Sequence, residues 1–317
     1  MANPISGNPL QPSSSPGVAL DPEAGERISE FDATKARKQS TLILRRFFRH
    51  KLAVASLIVF LLIVIFGFLG PFFWSVSVDD ATGGRYETPS GAHPLGTTQI
   101  GKDMLAQLIR GTRLSVQIAI VVALGSTFVG VVVGAVAGYL RGFIDSALMR
   151  LVDLLLVIPQ IAVAAILIRA FQGSWYTVAL ILAAFGWMQV ARISRGETLS
   201  LSAREFIEAS RASGAGTPWI VFRHLIPNMI GSITVNATLA VATAVLAEAA
   251  LSFIGLGVQP PDTSLGLIVS ENYSQVEERP WLFWGPFVII VLLSLAVNFI
   301  GDGLRDAFDP RQTKVRA

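Results

Sequence analysis

Residues 194–228 read SRGETLSLSAREFIEASRASGAGTPWIVFRHLIPN, a charged, glycine-punctuated stretch of about 35 residues set between two apolar runs. Its pattern predicts a short amphipathic helix over 202–213. Ser202 is placed to cap that helix, with Glu205 at the reciprocal position three residues on. Phe206 and Ala209 fall on one side, Ile207 and Arg211 on another, as suits a helix lying across a surface. Gly214 is available for the left-handed residue that ends such a helix, and Gly216 follows. A second helical stretch, PWIVFRHLI, starts with Pro218 in its first turn and is expected to end before Pro227.

Outward from this loop the chain is apolar. Of 317 residues, 52% are hydrophobic and 15% charged, whereas soluble domains carry about 25% charged residues. A transmembrane helix needs about 20 predominantly apolar residues, and six stretches qualify: 52–73, 114–139, 147–168, 176–191, 229–256 and 283–301. The fold class is therefore all-α, a polytopic membrane protein of six transmembrane helices. Residues 1–40, rich in Pro, Ser and Gly, read as a disordered tail. They form no cleavable signal peptide, so the first span is expected to stay as an anchor. Beyond the tail come a first span with its outer segment (41–110), a core of five spans (111–311) containing the loop at 192–228, and a C-terminal tail (312–317).

Orientation follows from Lys and Arg in the connections. Lys35, Arg37, Lys38, Arg45, Arg46, Arg49 and Lys51 precede the first span. Arg192, Arg195, Arg204, Arg211 and Arg223 crowd the fourth connection, and Arg305, Arg311, Lys314 and Arg316 follow the last span. The alternate connections are poorer in basic residues. Both termini and the 192–228 loop are accordingly expected on the cytoplasmic side. There are no cysteines, which excludes disulfides and thiol chemistry. His50, His93 and His224 lie far apart in sequence, which argues against a metal site. A net charge of +3 is too small to argue for nucleic acid.

GTTQIGKD at 96–103 imitates a phosphate-binding loop, since Gly96, Gly101 and Lys102 fit its spacing. Three facts oppose that reading. Asp103 occupies the place of the metal-binding Ser or Thr, the preceding GRYETPSGAHPL is polar rather than a buried strand, and the segment falls on the outer side. The better expectation is a short helix capped by Thr97 or Thr98, with Ile100, Met104, Leu105, Leu108 and Ile109 as its apolar stripe, lying at the outer surface or mouth of the bundle.

In the cytoplasmic loop, Glu208-Ala209-Ser210, then Gly214, then Pro227 thirteen residues later resembles the EAA loop of ABC importer permeases. HPLGTTQIGKDMLAQLIRGTRLS (93–115), LAEAALSFIGLGVQPPDTSLG (246–266) and GDGLRDAFDPR (301–311) are similar to segments of the C-type permeases of dipeptide and oligopeptide importers. Ser210 departs from the usual second Ala but is equally small. Glu248-Ala249-Ala250 spells the motif literally, yet Ile254 stands where its Gly belongs, so the coupling motif is assigned to 208. The resemblance implies a type I ABC importer permease fold in a bacterial inner membrane, with no cofactor in this chain. It implies a sister permease, two cytoplasmic ATPase subunits carrying ATP and Mg, and an external substrate-binding protein. It also implies an ATPase-docking surface of Arg204, Glu205, Phe206, Ile207, Glu208, Ala209, Ser210, Arg211, Gly214 and Pro227. Arg204, Glu205, Glu208 and Arg211 would supply charged contacts, and Phe206 or Ile207 the apolar anchor.

Ionisable groups inside a membrane are functional candidates by default. Glu248, roughly 28 Å along the fifth span from Met229 at 1.5 Å per residue, either binds the positive end of a passing peptide or pairs with a neighbouring subunit's Arg. Asn236 faces a polar path or joins two helices. Arg150 and Asp153 read as a local ion pair, and Asp302 as a terminal or loop residue. Gly125, Gly130, Gly134 and Gly138 in the second span suit close helix contact, and Pro159 a bend in the third. The expected function is transport of peptides driven by partner ATPases through the helix at 202–213. Importers of nickel or glutathione are the near alternatives. An ion-coupled secondary transporter would need several paired carboxylates or broken helices at mid-membrane, and only Glu248 is a candidate.

Overall fold

The computed structural model describes residues 39–308, all helical apart from connections, with no strand among the described residues. The tails expected over 1–40 and 312–317 thus lie outside the described residues except for 39 and 40. Helix α1 (Gln39–Arg49) leads to α2 (Lys51–Phe73), whose N-terminus is capped by His50 through a 3.1 Å hydrogen bond from the Ala53 amide. A structured connection then reaches α3 (Met104–Leu140), a helix of 37 residues. After α4 (Gly142–Val157) and α5 (Gln160–Ala170) comes α6 (Trp175–Leu201). Helix α7 (Glu205–Ala212) and an irregular helical segment over 217–228 join α6 to α8 (Ile230–Phe253). A short buried helix, α9 (Leu265–Asn272), precedes α10 (Pro280–Phe308).

Five of these helices, α2, α3, α6, α8 and α10, are long and apolar enough to cross a membrane, and the bent pair α4–α5 makes six. Six spans were expected from the sequence, and their boundaries differ for physical reasons. The third span breaks by 80° between α4 and α5. Pro159 supplies no N–H to continue the ladder, and Ile158 before it is forced into extended backbone (ψ 133°). The fourth span does not stop at 191 but runs ten residues further. Its charged extension is neutralised from the neighbouring α4: Arg192 pairs with Asp153, and the Arg195 guanidinium donates to both Asp145 oxygens at 2.5 and 2.6 Å. The expected Arg150–Asp153 pair is therefore replaced by a contact between helices. Asp302 lies inside α10 rather than in a loop.

The separate outer helix expected near residue 100 does not exist. Asp103, not Thr97 or Thr98, is the cap, accepting the Ala106 amide at 2.7 Å, and α3 runs unbroken from there into the membrane. The Asp103 carboxylate also accepts the Trp74 indole N–H at 2.9 Å and meets His93 Nδ1 at 2.8 Å. Thr97 is used otherwise, its hydroxyl accepting the Glu87 amide at 2.8 Å. GTTQIGKD is a packed turn, with Gly96 and Gly101 at φ +68° and +78°.

The core sits where α3 meets α6. Along one face of α3, Gly130, Gly134 and Gly138 touch the backbone of α6: a Cβ at Gly130 would fall 2.7 Å from the Trp187 carbonyl oxygen, and one at Gly138 2.8 Å from that of Arg195. Small residues let helices approach this closely, as the glycine spacing predicts. Helices α5, α8, α9 and α10 close around the same apolar cluster, which contains Ile118, Ile168, Val178, Val245, Leu265 and Leu293.

Candidate functional site

Helix α7 and the 217–228 segment form one structured unit at the end of the bundle. Ser202 does not cap α7. It ends α6, its hydroxyl donating to the Thr198 carbonyl at 2.6 Å, and Arg204 takes the cap position without a side-chain bond. The C-terminus is as expected: Gly214 adopts φ +83°, its amide donates to Arg211 O at 2.9 Å, and the Ala215 amide reaches Ser210 O at 3.1 Å. This double closure satisfies carbonyls the helix would leave open. Glu205 and Glu208 in the first turn and Arg211 in the last match the helix dipole.

One side of α7 is held inside the chain. Ile207, 0% exposed, packs with Ala135 of α3 and with Ile220, Val221 and Leu225. Arg211 donates to the Tyr139 hydroxyl at 3.1 Å and lies 5.0 Å over that ring. Ile207 is thus an internal anchor and is removed from the outward set. The other side presents Arg204, Glu205, Phe206, Glu208 and Ala209 to solvent, with Ser210 partly covered and Gly214 and Pro227 exposed. Phe206 is 42% exposed and lies 6.4 Å from the His224 ring. Trp219 and Phe222, 58% and 57% exposed, extend the apolar part, with Arg223 5.9 Å over the Trp219 ring. PWIVFRHLI does not close as a regular helix: residues Ile220–Leu225 form a π-turn, and the helix continues through Pro227 to Asn228.

Tyr139, Ala135, Trp219 and Phe222 are the participants that sequence reasoning missed. Tyr139 carries one available signal, an aromatic residue closing an apolar span just before Arg141, as at a membrane border. Its contact with Arg211, 72 residues away, has no local signature.

Glu248 lies in the interior of the chain, among serines. It is 1% exposed, and its carboxylate accepts the Ser252 hydroxyl at 2.7 Å and the Ser115 hydroxyl at 3.1 Å. Ser115 in turn accepts the Leu265 amide at 3.1 Å, and Ser264 caps α9 by accepting the Leu267 amide at 3.1 Å. Ser264 also donates to Ser252 at 3.3 Å. Glu248 is the centre of a buried polar knot joining α3, α8 and α9. The half-buried Asn236 amide donates back to the Ser232 carbonyl of its own helix at 2.9 Å.

Residues 130–314 match the model of the family described as binding-protein-dependent transport system inner membrane component. Residues 39–89 match the N-terminal TM domain of oligopeptide transport permease C. The chain is 41% identical over 286 residues to the oligopeptide transport system permease protein OppC of Mycobacterium tuberculosis H37Rv, covering 89% of this chain and 98% of that protein. It is 38% identical over 270 residues to the protein of that name from Escherichia coli K12 (84% and 89%), and 34% identical over 289 to that of Bacillus subtilis 168 (89% and 94%). With more than half its length matched by the family and each of these relatives aligned over most of both chains, this protein belongs to the binding-protein-dependent transport system inner membrane components.

Proposed function

We propose that the chain is a permease subunit of an ATP-driven oligopeptide importer, and that α7 is its docking helix for a cytoplasmic ATPase. The carrying observation is the two-sided construction of α7. Ile207 and Arg211 lock it to α3, while Phe206, Glu205 and Glu208 face outward beside Trp219 and Phe222. An aromatic anchor ringed by charge is what a partner groove can hold, and such anchors dominate interface energies. Because α7 is fastened to α3 and continuous with α6 and α8, force applied there reaches three spans. ATP and Mg belong to the partner. A sister permease and an external binding protein complete the assembly, and alternating access is driven from the α7 side. The oligopeptide cargo follows from the names of the relatives.

Co-expression with the ATPases tests the docking. Wild type is expected to retain an ATPase through purification, and Phe206→Asp, Glu208→Lys or Gly214→Trp to lose it with a drop in uptake of about tenfold or more. Gly214→Trp has open space around it but is strained at φ +83°. Normal assembly and transport by all three would refute the docking role.

The orientation carries its own test. The natural chain has no cysteine, so a single introduced thiol reports one position. Ala212→Cys is expected to react with a membrane-impermeant maleimide only after cells are opened, and Gly91→Cys in intact spheroplasts. The reverse pattern would invert the topology.

A further inference from the structure

A cavity of about 510 Å³ lies between the end of α2, the strap that follows it, the first four turns of α3 and the first residue of α6. Its polar lining includes Arg110, Arg113, Gln117 and Ser75, and its walls include Trp74 and Trp175. The positive charge there is only partly answered. Arg113 makes no ion pair among the described residues, its guanidinium lying 5.6 Å over the Phe68 ring. Arg110 has Asp262 at 3.6 Å, but its buried Nε has no hydrogen-bond partner, and Asp262 also accepts the Trp175 amide at 3.2 Å.

The depth of the cavity follows from the helices. At 1.5 Å per residue α3 spans ~55 Å, well beyond a hydrocarbon core of ~30 Å. Arg113 is the last charged residue before an uninterrupted uncharged run from Leu114 to Leu140. Trp74 directly follows the apolar α2, and Trp175 opens α6, positions where tryptophans mark the border between hydrocarbon and headgroups. Phe72 and Phe73, between the lining residues Pro71 and Trp74, are 82% and 85% exposed. Below the arginines, on the same face of α3, Ile120, Leu124 and Phe128 are 38%, 64% and 70% exposed. Positions 113, 117, 120, 124 and 128 make one continuous stripe, charged and polar at the border and apolar beneath it.

From this we infer that the Arg110–Arg113 cavity binds the phosphate of an anionic glycerophospholipid, one acyl chain of which lies along Ile120, Leu124 and Phe128. Guanidinium forks match phosphate oxygens in pairs. A free anion would have no use for the apolar stripe, and the head-over-tail order along one helix face is that of an amphiphile. The inference rests on placement in a bilayer and is independent of cargo and of α7.

The test is retention of phosphatidylglycerol by the full chain, purified with its co-expressed subunits from nanodiscs of phosphatidylcholine with and without phosphatidylglycerol, and read by native mass spectrometry. Wild type is expected to retain phosphatidylglycerol over phosphatidylcholine. Arg110→Gln with Arg113→Gln is expected to retain at least about tenfold less, and excess inorganic phosphate not to displace the lipid. Should the double variant not assemble, Arg113→Gln alone, at an exposed residue with no ion pair among the described residues, is expected to lower retention severalfold. Equal retention by wild type and an assembled variant would overturn the inference, as would displacement by inorganic phosphate, which would indicate a site for a free anion.

Discussion

Gly134→Leu is expected to leave almost no folded chain in the membrane. A Cβ at Gly134 would overlap the Ala191 carbonyl oxygen and come within 2.7 Å of Ser194 Cβ and 2.9 Å of the Arg195 amide nitrogen. Two of these three obstacles are backbone, which cannot rotate away, so α3 and α6 must separate along the whole glycine face. Overpacking in a core costs typically 1–3 kcal/mol. Here the loss should reach or exceed the top of that range, because Gly130 and Gly138 lose their contacts with it. The measurement is detergent-extracted monodisperse protein and its thermal midpoint, with Gly196→Ala as control. Gly196 is on α6 as well, but a Cβ there meets nothing within 4 Å. The control should be neutral or more stable by up to ~1 kcal/mol, since alanine is the better helix former. If Gly134→Leu accumulates and melts like wild type, the α3–α6 contact is not the core of the fold.

Glu248→Leu is expected to be the next most damaging change. Leucine fills much of the space but leaves the Ser115 and Ser252 hydroxyls without their acceptor in a region closed to water. Each buried polar group left unsatisfied costs about 1–3 kcal/mol, so a loss of about 3 kcal/mol is expected for the pair. Glu248→Gln keeps an acceptor oxygen and the shape, and should lose less than half as much. The two thermal midpoints decide the matter: equal losses would mean that hydrogen bonding at 248 is unimportant. In uptake assays, Glu248→Gln should affect peptides with free and blocked amino termini alike, as befits a residue that holds α3, α8 and α9 together.

The spans were legible because hydrocarbon thickness imposes a length on apolar runs, and the loop because glycine and proline punctuate it. What the sequence hid were satisfactions supplied from a distance. Arg192 and Arg195 look like the start of a cytoplasmic loop, yet they remain helical because Asp153 and Asp145 on α4 receive them. Ser202 has the composition of an N-cap and is spent on Thr198 of the preceding helix. Asp103 read as a defect in a phosphate loop, while its buried carboxylate serves Trp74, His93 and the start of α3. Ile207 and Phe206 are neighbours of equal apolarity. Only the approach of Ala135 and Val221 decides which is buried.

The unbroken course of α3 has a mechanical consequence. With no proline in its 37 residues, it is a single beam of ~55 Å, pinned near one end by the Asp103 cluster and gripped at the other by α7 through Tyr139. A beam has no slack. A tilt of roughly 10° about its midpoint would carry its two ends about 5 Å in opposite directions, close to the rise of one helical turn. Opening on one face of the membrane and closing on the other would then be a single displacement seen from two sides, needing no relay of side chains between them.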